Sequence, residues 1–349
     1  MKQLMPHPKP RAGARQSSLT ARLTTAGSLL AVSLAFVASF FALPTAISMD
    51  VHWASLQPVQ PAFPITVYPE EQKIVEDPKV EEMLTLHTNS LQAAAITAGG
   101  LITRLAEYIS ELPIHQSLAS VGASGIVTVR AGYRQEEVAT VFAKQLGWNT
   151  AQKTLFLKQL RTVEPILTEG QIVPGTYAVR SLMTPADVQI MLHERFQKEI
   201  VARYSIETEE ILPLDDALTI ASLLQKETRD PGEMRIISGI IWNRLWMGMN
   251  LQIDATLQYA KANKGTTKTW WPVPVPADKY IKSAYNTYQN KGLPTGPIAT
   301  PSMAAVLAAL NPKNTDCIFY FHDARGNFHC TENYKEHVRL LKKYYGQGK

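Results

Sequence analysis

One stretch limits the architecture before anything else is considered. Between Leu23 and Met49 the chain carries no charged residue. A run of that length reaches across a bilayer, which takes about 20 apolar residues. A cleaved signal peptide has a shorter apolar core, roughly 7–15 residues, so the expectation is a retained anchor. Lys2, Lys9, Arg11, Arg15 and Arg22 precede it, and no acidic residue does. A basic flank stays on the cytoplasmic side. The sequence therefore predicts a single-pass protein of the cytoplasmic (inner) membrane, with a cytoplasmic tail over 1–22, an anchor over 23–49 and an extracytoplasmic or periplasmic bulk.

The remaining length allows about two ordinary domains, and a chain with 45% hydrophobic and 19% charged residues is globular in character. The net charge of +5 is mild and gathers at the two ends. No basic stripe is interleaved with aromatics, so nucleic acid is not an expected partner. No Cys/His spacing suggests a metal site, and no cofactor is expected. Residues 50–125 read as a stalk followed by a helical segment: five prolines fall between 50 and 78, and an apolar set from Val80 to Ile109 has helical spacing. Residues 126–183 read as strand, helix, helix, strand (GIVTVRAG, EEVATVFAKQLGW, TAQKTLFLKQL, QIVPGTYAVR), an order that resembles a LysM-type sugar-binding module. Residues 184–345 open on a Thr184-x-x-Asp187 cap pattern, stay helical to about residue 262, and end on a hairpin. The fold class is thus α+β. Cys317 and Cys330 flank that hairpin, and export permits a disulfide, but the register that decides whether they face each other is open.

In ALTIASLLQKETRDPGEM the apolar stripe of a helix includes a carboxylate. Glu227 lies seven residues past Ile220 and three past Leu224, on the face such a helix buries, near the end where its dipole disfavours an anion. The helix has to stop before Pro231, and Asp230, Pro231 and Glu233 have the spacing of the cap and first turn of the next. A carboxyl partly withdrawn from water there has a raised pKa, which suits a general acid near neutral pH. A solvated glutamate paired with Lys226 or Arg229 fits the same residues.

Downstream, Gln252, Asp254 and Thr256 alternate and point one way if extended. Tyr285, Asn286 and Tyr288 precede a Gly/Pro-rich loop. Amides, hydroxyls and aromatic faces bind sugar chains, and they also build turns.

The stretch from Ala221 to His337 resembles the catalytic domain of YceG-like (MltG) endolytic murein transglycosylases. The resemblance rests on ASLLQKET, IIWNRLWMGMNLQIDATLQYA, AYNTY, GLPTGPIATP and the closing Glu336-His337, with EGQIVPGTY at 169–177 upstream. It implies a mainly helical, lysozyme-like catalytic domain in which Glu227 is the catalytic acid/base and Gln252, Asp254, Tyr285 and Asn286 line a sugar cleft; Thr256 joins that set from its spacing. It implies peptidoglycan as substrate, cleaved between MurNAc and GlcNAc to leave 1,6-anhydro ends, and cell-wall synthases as partners. A hydrolytic muramidase using Asp254, and a wall-binding scaffold without catalysis, are the alternatives. Gln225 stands where the family commonly has a second Glu, and Ala255 where it has Pro. The late His-x-Phe…Thr positions hold Phe328, Cys330 and Asn333, and His329 is out of step by one.

Overall fold

The computed structural model describes residues 61–78, 80–81 and 124–346. The predicted tail and anchor lie outside the described residues, as does most of the helical segment after Lys79. Among the described residues no helix is long and apolar enough to cross a membrane.

The proline-rich stretch predicted as a stalk is, from residue 61, a strap sewn onto the body. Its short hairpin pairs β1 (Val67–Tyr68) with β2 (Lys73–Ile74). Phe63 and Val67 are buried. Phe63 N–H donates to Arg203 O at 2.8 Å and Thr66 N–H to Leu310 O at 3.0 Å. Prolines removed the periodicity that would have announced a packed segment; backbone bonds and two apolar anchors do the packing instead.

The expected strand–helix–helix–strand order follows. β3 (Ser124–Val129) pairs antiparallel with β4 (Gly175–Arg180), from Ser124↔Arg180 to Val129↔Gly175. Between them run α1 (Gln135–Leu146) and α2 (Thr150–Thr162). Val138 and Phe142 of α1, Phe156 and Leu160 of α2, and Tyr177 and Val179 of β4 bury together. Asn149 caps α2 by accepting Gln152 N–H at 2.9 Å. Pro174-Gly175 marks where extended pairing begins; the preceding QIV is not strand. This unit shares one continuous apolar cluster with the helices that follow, and it is pinned to them by Gly132 N–H on Thr300 O (2.8 Å) and Thr300 N–H on Tyr133 O (2.7 Å).

α3 (Pro185–Glu199) starts at the predicted capping box, with Thr184 N–H on Asp187 Oδ2 at 2.8 Å. It buries Val188, Leu192 and Phe196, spaced by four. After α4 (Ile206–Ile211) comes α5 (Leu214–Glu227), in which every residue from Ala217 to Leu224 is buried. A helix covered on all sides lies at the centre of a core. It packs against α6 (Pro231–Trp246), α7 (Asp254–Ala262) and α8 (Met303–Leu310). On α6, Gly239 allows the backbone of Lys313 to pass, because a Cβ there would lie 2.1 Å from its carbonyl oxygen.

The chain closes on the predicted hairpin, β5 (Phe319–His322) with β6 (Phe328–Thr331), and on α9 (Tyr334–Tyr345). Cys317 and Cys330 are joined, with Cα atoms 5.7 Å apart. Ile318 N–H donates to Thr331 O at 2.8 Å, which holds Cys317 against the end of β6 beside Cys330.

Candidate active site

Glu227 is the last residue of α5. Thr228 leaves helical geometry at φ −150°, ψ 166°, and Asp230 caps α6 by accepting Glu233 N–H at 2.9 Å, with Pro231 in the first turn. This turn fixes where the carboxylate emerges. It opens into a cleft of about 520 Å³ lined also by Arg244, Gln252, Asp254, Tyr288, Tyr320, His322 and His337.

β5 forms one wall. Tyr320 O–H donates to Glu227 Oε2 at 2.9 Å. The other wall comes from the start of α7 and the loop at 285–288. Tyr288 O–H donates to Asp254 Oδ1 at 2.6 Å. Gln252 sits at φ 53°, in the left-handed region a side chain enters at some cost, held by its N–H on Thr287 O at 3.1 Å. Arg244 joins the walls: its Nε donates to Ile318 O at 2.7 Å and its Nη1 to Leu251 O at 2.5 Å.

The Glu227 side chain is half-buried, open to the cleft and surrounded elsewhere by protein. Burial pushes its pKa up; the Tyr320 hydrogen bond opposes this, the charge of Asp254 adds to it, and His322 and Arg244 pull down. The net direction is upward. Burial, reinforced by the Glu227 carboxylate, also drives Tyr320 well above the usual phenol range, so it acts as a donor and not as an anion.

Of the six sequence candidates, Glu227, Gln252 and Asp254 share the cleft. Asp254 is not extended but opens α7, and this turns Thr256 away. Thr256 is fully buried, donating to Ile253 O at 2.7 Å and sharing a bond with Thr287 Oγ1 at 2.9 Å. Asn286 is also fully buried: its Nδ2 donates to Ile281 O at 2.8 Å and Lys279 O at 3.0 Å, and its Oδ1 accepts Tyr288 N–H at 2.9 Å. Neither reaches a ligand; both set the loop that carries Tyr288. Tyr285 packs on Tyr259, ring centroids 4.7 Å apart, outside the cleft lining.

Tyr320, His322 and Arg244 were not singled out from sequence. The alternation in IFYFHD puts Tyr320 and His322 on one strand face, but nothing local says which face meets a glutamate 93 residues earlier. The three departures from the late family motif have structural jobs. Phe328 stacks on Tyr320 at 6.0 Å, Cys330 is in the disulfide, and Asn333 caps α9 by accepting Glu336 N–H at 3.0 Å. His329 binds Asp323 at 3.0 Å in the hairpin turn. Among the described residues no group of three or more His, Cys, Asp or Glu side chains is placed to hold a metal ion.

The family model described as YceG-like matches residues 65–343. The chain belongs to the YceG-like family. Among its relatives, the "Endolytic murein transglycosylase" of Bacillus subtilis (strain 168) is 29% identical over 254 residues, 66% of this chain and 69% of the relative. The protein of the same name from Streptococcus pneumoniae (strain D39) is 30% identical over 172 residues, 49% of this chain and 31% of that longer protein. The crystal structure of a yceG-like protein from Listeria monocytogenes superposes with a TM-score of 0.53 at 24% identity, over 62% of this chain and 75% of the other, a likeness of fold. The mixed fold and the family indicated by the sequence motifs are thus borne out.

Proposed function

We propose that this YceG-like chain is an endolytic lytic transglycosylase that cuts the MurNAc–GlcNAc β-1,4 bond of nascent peptidoglycan strands and leaves 1,6-anhydro-MurNAc ends. The observation that carries this reading is Glu227, a carboxyl with an upward-shifted pKa facing a cleft shared with Gln252, Asp254 and Tyr288. Family membership and the names of the relatives support it. A carboxyl whose pKa is raised keeps its proton to higher pH and gives it to the glycosidic oxygen as that bond breaks. The C6 hydroxyl of the same muramyl ring then attacks C1 and gives its proton to the carboxylate that Glu227 has become. Holding that hydroxyl within the ring conformation bound by the cleft replaces a captured water molecule. Asp254, fixed by Tyr288, holds a sugar hydroxyl on the opposite wall.

In the same reading the helical part is lysozyme-like and the strand–helix–helix–strand unit is a LysM-like grip on the glycan. Residues 23–49 anchor the chain in the cytoplasmic membrane beside wall synthases, with the catalytic part outside. The decisive test is mass spectrometry of digested peptidoglycan. Wild-type protein releases anhydromuramyl products, and Glu227→Gln releases none while keeping the wild-type melting temperature. Reducing ends in the wild-type digest would instead favour a muramidase in which Asp254, already in the cleft, activates water. Binding without any cleavage would favour a scaffold.

A further inference from the structure

The proposed reaction gives one carboxylate two tasks, donating a proton to the leaving oxygen and taking one from the C6 hydroxyl. A second group suited to the latter task lines the same cleft. Tyr320 and His322 are two residues apart on β5, so they project from the same strand face, about 7 Å apart along it. Tyr320 bonds Glu227 directly; His322 is the next side chain along that wall.

The His322 ring is held from behind. Its Nε2 lies 3.1 Å from Glu233 Oε2, which also accepts the Thr228 hydroxyl at 2.6 Å. Glu233 sits in the first turn of α6, where the helix dipole favours an anion. Burial pushes its carboxyl up, but the Thr228 and His322 bonds outweigh this and hold it below the usual range. An ionised carboxylate can only accept, so Nε2 carries a proton, and in the neutral ring Nδ1 is then the acceptor. Among the described residues no group bonds Nδ1, and Phe328 meets the ring edge-on at 5.4 Å.

We infer that His322 is the base of the cyclisation: its Nδ1 takes the C6 hydroxyl proton while Glu227 protonates the departing oxygen, and Glu233 is the positioning residue that selects the required tautomer. This rests on the transglycosylase reading. The bond from muramyl C1 to the glycosidic oxygen breaks and the O6–C1 bond forms. The Glu227 proton ends on the leaving GlcNAc hydroxyl and the C6 hydroxyl proton on His322. Return of that proton to Glu227 through solvent restores both groups. The anhydro bridge closes on the ring face from which a β-linked sugar departs, so acid and base belong on one wall, and β5 provides it. Glu233 bonds the ring, and the charged and titratable groups lining the cleft with it are Tyr320 on its own strand, Arg244 from α6, Glu227 from α5, Asp254 from α7, Lys279 and Tyr288 from the loops, and Tyr334 and His337 from α9.

The full-length chain in nanodiscs, acting on purified glycan strands, tests this. With wild type giving anhydro ends, His322→Gln is expected to lower kcat by about 100-fold or more and leave KM little changed. Added imidazole should restore part of the activity of His322→Ala, and Glu233→Gln should fall between. Wild-type kcat in His322→Gln would overturn the inference and leave the transglycosylase reading standing. So would an activity loss in His322→Ala that imidazole does not relieve. Wild-type products lacking the anhydro ring would overturn the transglycosylase reading itself, and this inference with it.

Discussion

Replacing Asn286 by alanine separates a loop-holding role from a sugar-binding one. Its buried side chain makes three bonds, one of them fully buried and two partly: two from Nδ2 to the carbonyls of Ile281 and Lys279, and one from Tyr288 N–H to Oδ1. Each such bond contributes about 1 kcal/mol net, and each buried group left without a partner costs about 1–3 kcal/mol. Alanine removes all three bonds and strands two carbonyls and an amide, so the loss should be about 3–5 kcal/mol. For a protein of this size that lowers the melting temperature by roughly 10 °C. Tyr288 loses its anchor as well, and with it the 2.6 Å bond to Asp254, so kcat should fall along with stability. Asn286→Asp should be worse than alanine, because a carboxylate would face two carbonyl oxygens. Urea unfolding and thermal melts measure the first quantity, and turnover on glycan strands the second. A variant as stable as wild type with a raised KM would show that Asn286 touches substrate, and the reasoning from burial would be refuted.

Tyr320→Phe removes the bond that holds the Glu227 pKa down, leaving burial to push it further up. The acid must be protonated to act, so the alkaline limb of the kcat–pH profile should move to higher pH; an unmoved or lowered limb contradicts this. Glu169, buried and bonded to Gln135 N–H at 3.1 Å, has its pKa raised by burial from 4.5 to about 8. Its folded form holds the proton more tightly than the unfolded chain, so stability should decline by a few kcal/mol as pH rises between those values, and Glu169→Gln should flatten that slope in melts from pH 5 to 8. Opening the disulfide, whose cysteines are 13 residues apart, through paired Ser substitutions should cost about 3 kcal/mol, read by urea unfolding; unchanged stability argues against the bridge.

The elements legible in the sequence were those with local signals. The α5–α6 turn was readable because Asp230 and Pro231 dictate it chemically, and Thr184 announced α3 in the same way. Glu227 stood out because it broke a periodic pattern. What escaped notice depended on distant partners. Thr256 and Asn286 carry groups that suit a sugar as well as they suit a buried carbonyl, and only the start of α7 at Asp254 and the packing of the 285–288 loop decide between them. The strap at 61–75 has no period to read, since its anchors are backbone bonds to Arg203 and Leu310. Tyr320 and His322 needed the pairing of β5 against the exit of α5, which no local pattern encodes.

The strap also sets a limit on how the chain can be shortened. A cut before Pro61 leaves the bonds of Phe63 and Thr66 untouched, and with them the carbonyl of Pro64 that receives Asn311 at 2.9 Å. A cut after Pro78, although the composition there suggests a dispensable linker, strips the buried Phe63 and Val67 side chains from the core, takes Thr66 N–H from Leu310 O and leaves the Asn311 amide only its bond to Leu307 O. Fragments made for crystallisation or assay should therefore begin upstream of residue 61, and those that begin later should be expected to aggregate.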